Sequence, residues 1–417
     1  MNISANSNKI LKKTLEYLSV IGFSFAVIVI YFQVATYPYK VARWYQPMQA
    51  WWISIAATSC DEKNTRLQMM LSHSLNYHGA YSTQVAFVDA QKRMQHCEAG
   101  YKSVFGKKLV NQNDRYRYAS STKLITAAAI LRLVKQQKIS LNDKLVQFFP
   151  ELTRFKDERI LNISLEHLLN HSAGFDRLGV GGDPMFLSHK KPWCPDNLSK
   201  LQSLQLVFSP GTKQIYSNLG FCLLGEVIHR VSGESYRTYI AQTFSLASRD
   251  IKFVNNFYND EVQYDYRYEE FYNDDYLELF DFDAISSVAG LSGSATALAE
   301  LIWDIHHQQN IPLFTLTAGA VCDLRNGWGC SSRGGFHYPP APYGLAIHFH
   351  EGYLPGSASL VVVDSFGGVL TLTKSGANRH QENPTNDWVR WIYKRLSLYY
   401  LLQGKLPILN SLSLIKH

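Results

Sequence analysis

The stretch YASSTKLITAAAILRLV, residues 118–134, constrains the fold more than any other part of this 417-residue chain. Leu124, Ile125, Ala127, Ala128, Ile130, Leu131, Leu133 and Val134 fall all round a helical period rather than along one stripe. A helix apolar on nearly every side has to be central, with other elements packed about it. Its first turn is polar and holds Ser120 and Lys123, three residues apart. On a helix, that spacing puts both side chains on one face. A serine hydroxyl becomes a good nucleophile only when a base takes its proton. Lysine can be that base when burial or a nearby cation lowers its pKa. The apolar run behind Lys123 supplies burial. The positive end of the helix dipole disfavours a charged lysine and favours an anionic intermediate. Ser-x-x-Lys recurs at Ser188/Lys191 and Ser413/Lys416, but no buried helix follows either.

The N-terminus imposes the next constraint. No charged residue occurs from Tyr17 to Tyr39, and Leu18 to Phe32 is nearly all apolar. About 20 such residues cross a bilayer as a helix. Lys9, Lys12 and Lys13 precede the stretch, which puts residues 1–16 in the cytoplasm and the body of the protein across the membrane. No small-x-small site ends the stretch, since Gln33 stands two before Ala35. An uncleaved single-pass anchor over 17–39 is therefore favoured over a removed signal peptide. Residues 40–78 form an aromatic-rich entry segment. Tyr37, Tyr39, Trp44, Tyr45, Trp51 and Trp52 suit either the water–lipid boundary or a folded core. The formal charge of +7 forms no basic block beyond Lys9 to Lys13, so nothing points to nucleic acid. The six cysteines show no metal-ligand spacing. Cys322 and Cys330 bracket a short loop and are the best disulfide pair, with a free buried thiol the equal alternative for each, whereas Cys222 sits in an apolar helical run and reads as core.

Residues 79–400 read as one domain, with 401–417 as a tail. Gly79 to Val104 suggests two strands joined by a polar turn. SLEHLLNHSAG reads as a short helix with Ser164 at its N-cap and Gly174 just past its end. LGFCLLGEVIHRVSG is a second amphipathic helix stopped by Gly233. Residues 255–283 interleave acidic and aromatic side chains around a single basic residue, Arg267. They read as an ordered insertion, either with rings packed inward or as a cleft wall suited to cationic ligands. Residues 357–376 read as a hairpin, and a terminal amphipathic helix follows Asn386. Strands and helices do not alternate as βαβ units, so the fold class is α+β.

Two further stretches bear on the chemistry. PGTKQIYSNLG sets Tyr216 and Asn218 between a Pro-Gly turn and a helix. A tyrosine beside a lysine can relay a proton to a leaving group, and an asparagine amide can hold a lysine and a substrate amide together. By itself the stretch also reads as a turn with a capping asparagine. In HFHEGYLPGS, His350 and Gly352 share one face of a strand, and the glycine leaves room for a substrate along the edge.

Together and in this order, these stretches resemble the serine β-lactamase and penicillin-binding protein superfamily, most of all its class C-type branch of esterases, D-aminopeptidases and DD-peptidases. The likeness runs from about Gln84 to about Ala377 and includes ISLEHLLNHSAGF and VAGLSGSATALAELI as well as the motifs. It implies a helical domain set against an antiparallel sheet, with the site in the crevice between. It implies Ser120 as acylated nucleophile, Lys123 as its base, Tyr216 as proton-transfer partner and Asn218 as an orienting residue. It sets His350-Glu351-Gly352 where β-lactamases carry Lys-Thr-Gly, and gives the oxyanion hole to the backbone N–H groups of Ser120 and Tyr353. His-Glu-Gly departs from the carboxylate-gripping triplet, and Glu351 would repel an anion if it faced the pocket. β-Lactam hydrolysis is accordingly not the expected main activity. Lys374-Ser375-Gly376 imitates the triplet but follows the hairpin, so it reads as a strand end. The expected function is a serine hydrolase acting outside the cytoplasm on an ester, amide or D-amino-acid peptide. It would need no metal or organic cofactor. Its substrate would be a small molecule or peptide, cell-wall derived if it is a DD-peptidase. A ligand-binding module that kept the fold but lost turnover is the alternative from another class.

Overall fold

The computed structural model describes residues 3–36, 38–103, 106–176, 183, 192–264, 280–316, 322–323, 329–340, 344–354, 356–376 and 384–407. Met1–Gln49 and Ala50–His417 form separate compact units. The first is dominated by helix α1, Ile3–Thr36. Its segment Lys12–Thr36, 25 residues long and 0% buried, is long and apolar enough to cross a membrane. Helix α2 spans Pro38–Ala56. There Ala50 and Ile53 are buried while Trp51 and Trp52 are exposed, so these two rings of the aromatic segment are not core.

Among the described residues, the second unit is built on a nine-stranded antiparallel sheet. Its strands are β1 (Thr58–Cys60), β2 (Ser82–Val88), β3 (Met94–Gly100), β7 (Cys322–Asp323), β8 (Gly329–Ser332), β9 (Gly335–Tyr338), β10 (Ile347–Leu354), β11 (Ser357–Asp364) and β12 (Val369–Ser375). Their order is β1-β3-β2-β12-β11-β10-β9-β8-β7. A small sheet of β4 (Tyr116–Arg117), β6 (Leu291–Gly293) and β5 (Lys252–Phe253) sits before the central helix. The expected strand pair in 79–104 is β2 and β3, and the expected hairpin is β11 and β12.

β11 is buried along its whole length because both sheet faces are covered. Val361 and Val363 join a core with helix α4, Thr122–Lys135. Leu360 and Val362 point the other way, into a core with helix α3, Thr65–Tyr77, and the C-terminal helix Pro384–Leu402. α4 is the fully surrounded helix its sequence demands: every residue from Thr122 to Leu131 is buried. Each Leu or Ile hidden this way is worth about 1.5–3 kcal/mol, which fixes the helix rigidly under whatever its first turn carries. The short helix α5, Leu165–Leu169, is capped by Ser164 as expected. Its left-handed exit residue is His171, at φ +58°, rather than Gly174, which turns separately at φ +95°. α6, Asn218–Ser232, ends at the left-handed Gly233 as read from sequence.

Cys222 is buried but is no free core thiol: it forms a disulfide with Cys194, and Cys60 forms one with Cys97. Cys330 is also disulfide-bonded and stands opposite Cys322 in the β7–β8 register. Most of the acidic aromatic insertion, 265–279, lies outside the described residues. Parts of its described flanks pack against the buried Arg115 and Arg117. Asp260 pairs with Arg115, and Glu261 with Arg117. Phe257, Tyr264 and Phe282 close round the Arg117 guanidinium at 4.7–5.2 Å. The cation these flanking rings bind is the chain's own.

Candidate active site

The sequence put Ser120 at the start of the central helix. The helix begins two residues later, at Thr122, and Ser120 sits in a 3₁₀ turn, Ala119–Ser121, just ahead of it. Ala119 is left-handed, at φ +48°. For a residue with a Cβ this costs about 1–2 kcal/mol, so surrounding contacts must hold the turn. Tyr118 N–H donates to Leu291 O at 2.9 Å, and Ser359 Oγ donates to Tyr118 O at 2.6 Å. Ser121 Oγ lies 2.7 Å from Ser359 Oγ, and Thr122 Oγ1 accepts from Leu291 N–H at 3.2 Å. The turn is thus stapled to β11 on one side and β6 on the other.

Two donors meet on Ser120 Oγ. Lys123 Nζ is 3.0 Å away and Tyr216 OH 2.9 Å away. Lys123 is completely buried, and its Nζ also donates to Val288 O at 3.1 Å. The same Nζ lies 5.1 Å from the centre of the Tyr216 ring. The structure therefore brings Ser120, Lys123 and Tyr216 together across elements almost a hundred residues apart.

Asn218 begins α6, two residues after Tyr216 in the chain, but its amide is committed elsewhere. Nδ2 donates to both Asp183 carboxylate oxygens, at 3.0 and 3.1 Å, and Oδ1 is buried without a partner among the described residues. The donors expected to hold substrate are held by an acid that no sequence pattern marked. The other two Ser-x-x-Lys pairs, Ser188/Lys191 and Ser413/Lys416, lie outside the described residues. Lys374 is remote in function: it is buried on β12 with Nζ donating to His78 O.

β10 forms the far wall. His350 is buried, its Nδ1 bonds Glu351 O at 2.6 Å, and its Nε2 is buried with no partner among the described residues. Alternation turns Glu351 to the opposite face from His350 and Gly352, away from the nucleophile. Gly352 faces the Ser120 turn so closely that a Cβ would collide with Tyr118 O, lie 2.5 Å from Ser359 Oγ and 3.0 Å from Ser120 N. Tyr353 follows at the strand edge with its side chain exposed.

His171 was not singled out from sequence as a site residue. Its ring packs on Tyr216 with centroids 4.6 Å apart. Burial holds both His171 and His350 in the neutral form, with His350 lowered to about 3. Burial likewise lowers His348 to about 3, His73 to about 4 and His78 to about 2. These histidines gain protons on unfolding below their ordinary pKa of about 6.5. Their neutral form contributes stability fully above that value, and the contribution is lost as pH falls toward the folded values. The expected slope is about 1.4 kcal/mol per pH unit for each histidine titrating only in the unfolded chain. Urea unfolding between pH 7 and pH 4 should show a steep loss, and His348→Phe should make it shallower. A flat profile would refute the coupling.

The family model described as Beta-lactamase matches residues 43–369. A putative fimbrial assembly protein FimD, serogroup D, of Dichelobacter nodosus is 34% identical over 344 residues, covering 82% of this chain and 86% of that protein. The D-amino acid amidase of Ochrobactrum anthropi SV3, solved with D-phenylalanine, superposes with TM-score 0.63 at 17% identity, covering 82% of this chain and 100% of the amidase. A beta-lactamase/D-alanine carboxypeptidase from Yersinia pestis, complexed with citrate, superposes with TM-score 0.61 at 16% identity, covering 77% of this chain and 94% of that one. The two superpositions speak for the fold, while the family match spans the Ser-x-x-Lys turn, the Tyr-x-Asn loop and the His-x-Gly strand alike. This chain belongs to the beta-lactamase family.

Proposed function

We propose that the chain is a serine hydrolase that forms an acyl-enzyme on Ser120 and cleaves an ester, amide or D-amino-acid peptide bond outside the cytoplasm. The observation that carries this is the convergence of Lys123 Nζ and Tyr216 OH on Ser120 Oγ. In its unprotonated form the lysine amine accepts the serine proton as Oγ attacks the substrate carbonyl. The phenol then passes a proton to the leaving group, and water clears the acyl-enzyme. Backbone N–H groups of Ser120 and Tyr353 face the developing oxyanion in this reading. Helix α1 anchors the chain, supported by its length and full exposure.

His350 and Gly352 in place of Lys-Thr-Gly support a substrate without the carboxylate of a β-lactam, and D-amino-acid amides and esters come first. The test is fluorophosphonate labelling of the full chain followed by peptide mapping. The label should fall on Ser120 and disappear in Ser120→Ala. Labelling that persists at the wild-type rate in that variant would sink the proposal. The D. nodosus relative, alike over 82% of this chain, favours one second reading. In it, the same site serves the assembly of surface fibres. Unchanged fibres in cells carrying only Ser120→Ala would count against that reading.

A further inference from the structure

Tyr216 is held by more than its own loop. The N–H of Ile215, just before it, donates to His171 O at 3.0 Å. The N–H of Ser217, just after it, donates to His171 Nδ1 at 3.2 Å. The His171 ring lies against the Tyr216 ring at 4.6 Å, with Phe221 on the histidine at 5.2 Å. The left-handed backbone of His171, φ +58°, accompanies this arrangement of carbonyl and ring around one residue. We infer that His171 is a positioning residue for Tyr216, gripping it through both flanking amides and its ring so that the phenol stays on Ser120 Oγ; this rests on the hydrolase reading above.

The chemistry of the grip is specific. Nδ1 can accept the Ser217 N–H only while it carries no proton. Burial keeps it so. A charged imidazole would present a donor to a donor and push the loop away. Phenylalanine would keep the ring contact and lose the acceptor. Asparagine would lose the ring, keep an acceptor near the Nδ1 position, and tolerate the left-handed backbone.

The test compares His171→Phe and His171→Asn with wild type in the full chain. Amide exchange in peptides spanning residues 212–222, followed by mass spectrometry, reads the grip without turnover. We expect exchange faster by about tenfold or more in His171→Phe and near wild type in His171→Asn. The fluorophosphonate rate at Ser120 should fall about 10- to 100-fold in His171→Phe and by less than about threefold in His171→Asn. Combined with Tyr216→Phe, His171→Phe should add nothing to the loss from Tyr216→Phe alone. Losses that multiply would show His171 acting on the fold in general and overturn the inference, as would unchanged exchange in His171→Phe. If wild type takes no label at all, the hydrolase reading fails, while the exchange result still decides whether His171 grips Tyr216.

Discussion

Lys123→Ala should slow fluorophosphonate labelling of Ser120 by about 10²–10⁴-fold, the range for loss of a positioned general base. Lys123 is fully buried on a helix packed on all sides along its first ten residues, and Ser120 Oγ lies 3.0 Å from its Nζ. No rearrangement of α4 can bring another amine to that place, because its buried neighbours in the first turns are Thr122, Leu124 and Ile125. The substitution also strips Val288 O of a donor, at about 1–3 kcal/mol. A thermal melt must therefore accompany the kinetics, so that an unfolded variant is not mistaken for an inactive one. A folded Lys123→Ala protein labelled within about threefold of wild type would remove lysine from the mechanism.

Gly352→Ala is the second large effect. One added carbon has to displace Tyr118 O, Ser359 Oγ or the Ser120 amide, with the last two at 2.5 and 3.0 Å. Two of these belong to the turn that carries the nucleophile, so the strain lands on the reacting geometry. Overpacking of this kind costs about 1–3 kcal/mol in stability, and a shift of about 1 Å at a catalytic group costs about a hundredfold in rate. We expect labelling to drop by about that factor and the melting temperature to fall. Gly220→Ala is the control. Its nearest neighbour would be 3.6 Å away, inside helix α6, where alanine is the better helix former. If Gly352→Ala labels as fast as that control, β10 does not press on the Ser120 turn in solution.

Sequence reached the parts of this molecule whose reasons are local. The all-round apolar run of α4 and the alternation of His350 and Gly352 follow from helix and strand periods, whereas Ser120 meets Lys123 from a 3₁₀ turn just ahead of the helix. Tyr216 came through its motif. What sequence missed depends on chain returning from afar. Asp183 meets Asn218 across 35 residues with no pattern to mark it. The Cys194–Cys222 bond is equally silent in spacing, and it joined a thiol that looked like filler in an apolar helix. His171 had a signal that was available and passed over. It follows the capped helix ending at Leu169, where a left-handed residue is often needed, and Gly174 seemed the better candidate.

The disulfides have a consequence for how the chain is made. Cys60 bonds Cys97, and Cys194 bonds Cys222, each cysteine taking the next one along the chain. The two loops neither overlap nor enclose one another. Where the cysteines reach an oxidant in sequence order, each of these four thiols meets its native partner before any wrong one arrives. Thiol exchange to repair mispaired bonds, the slow step for interleaved patterns, is not required, and simple oxidation in order of emergence gives the native connectivity.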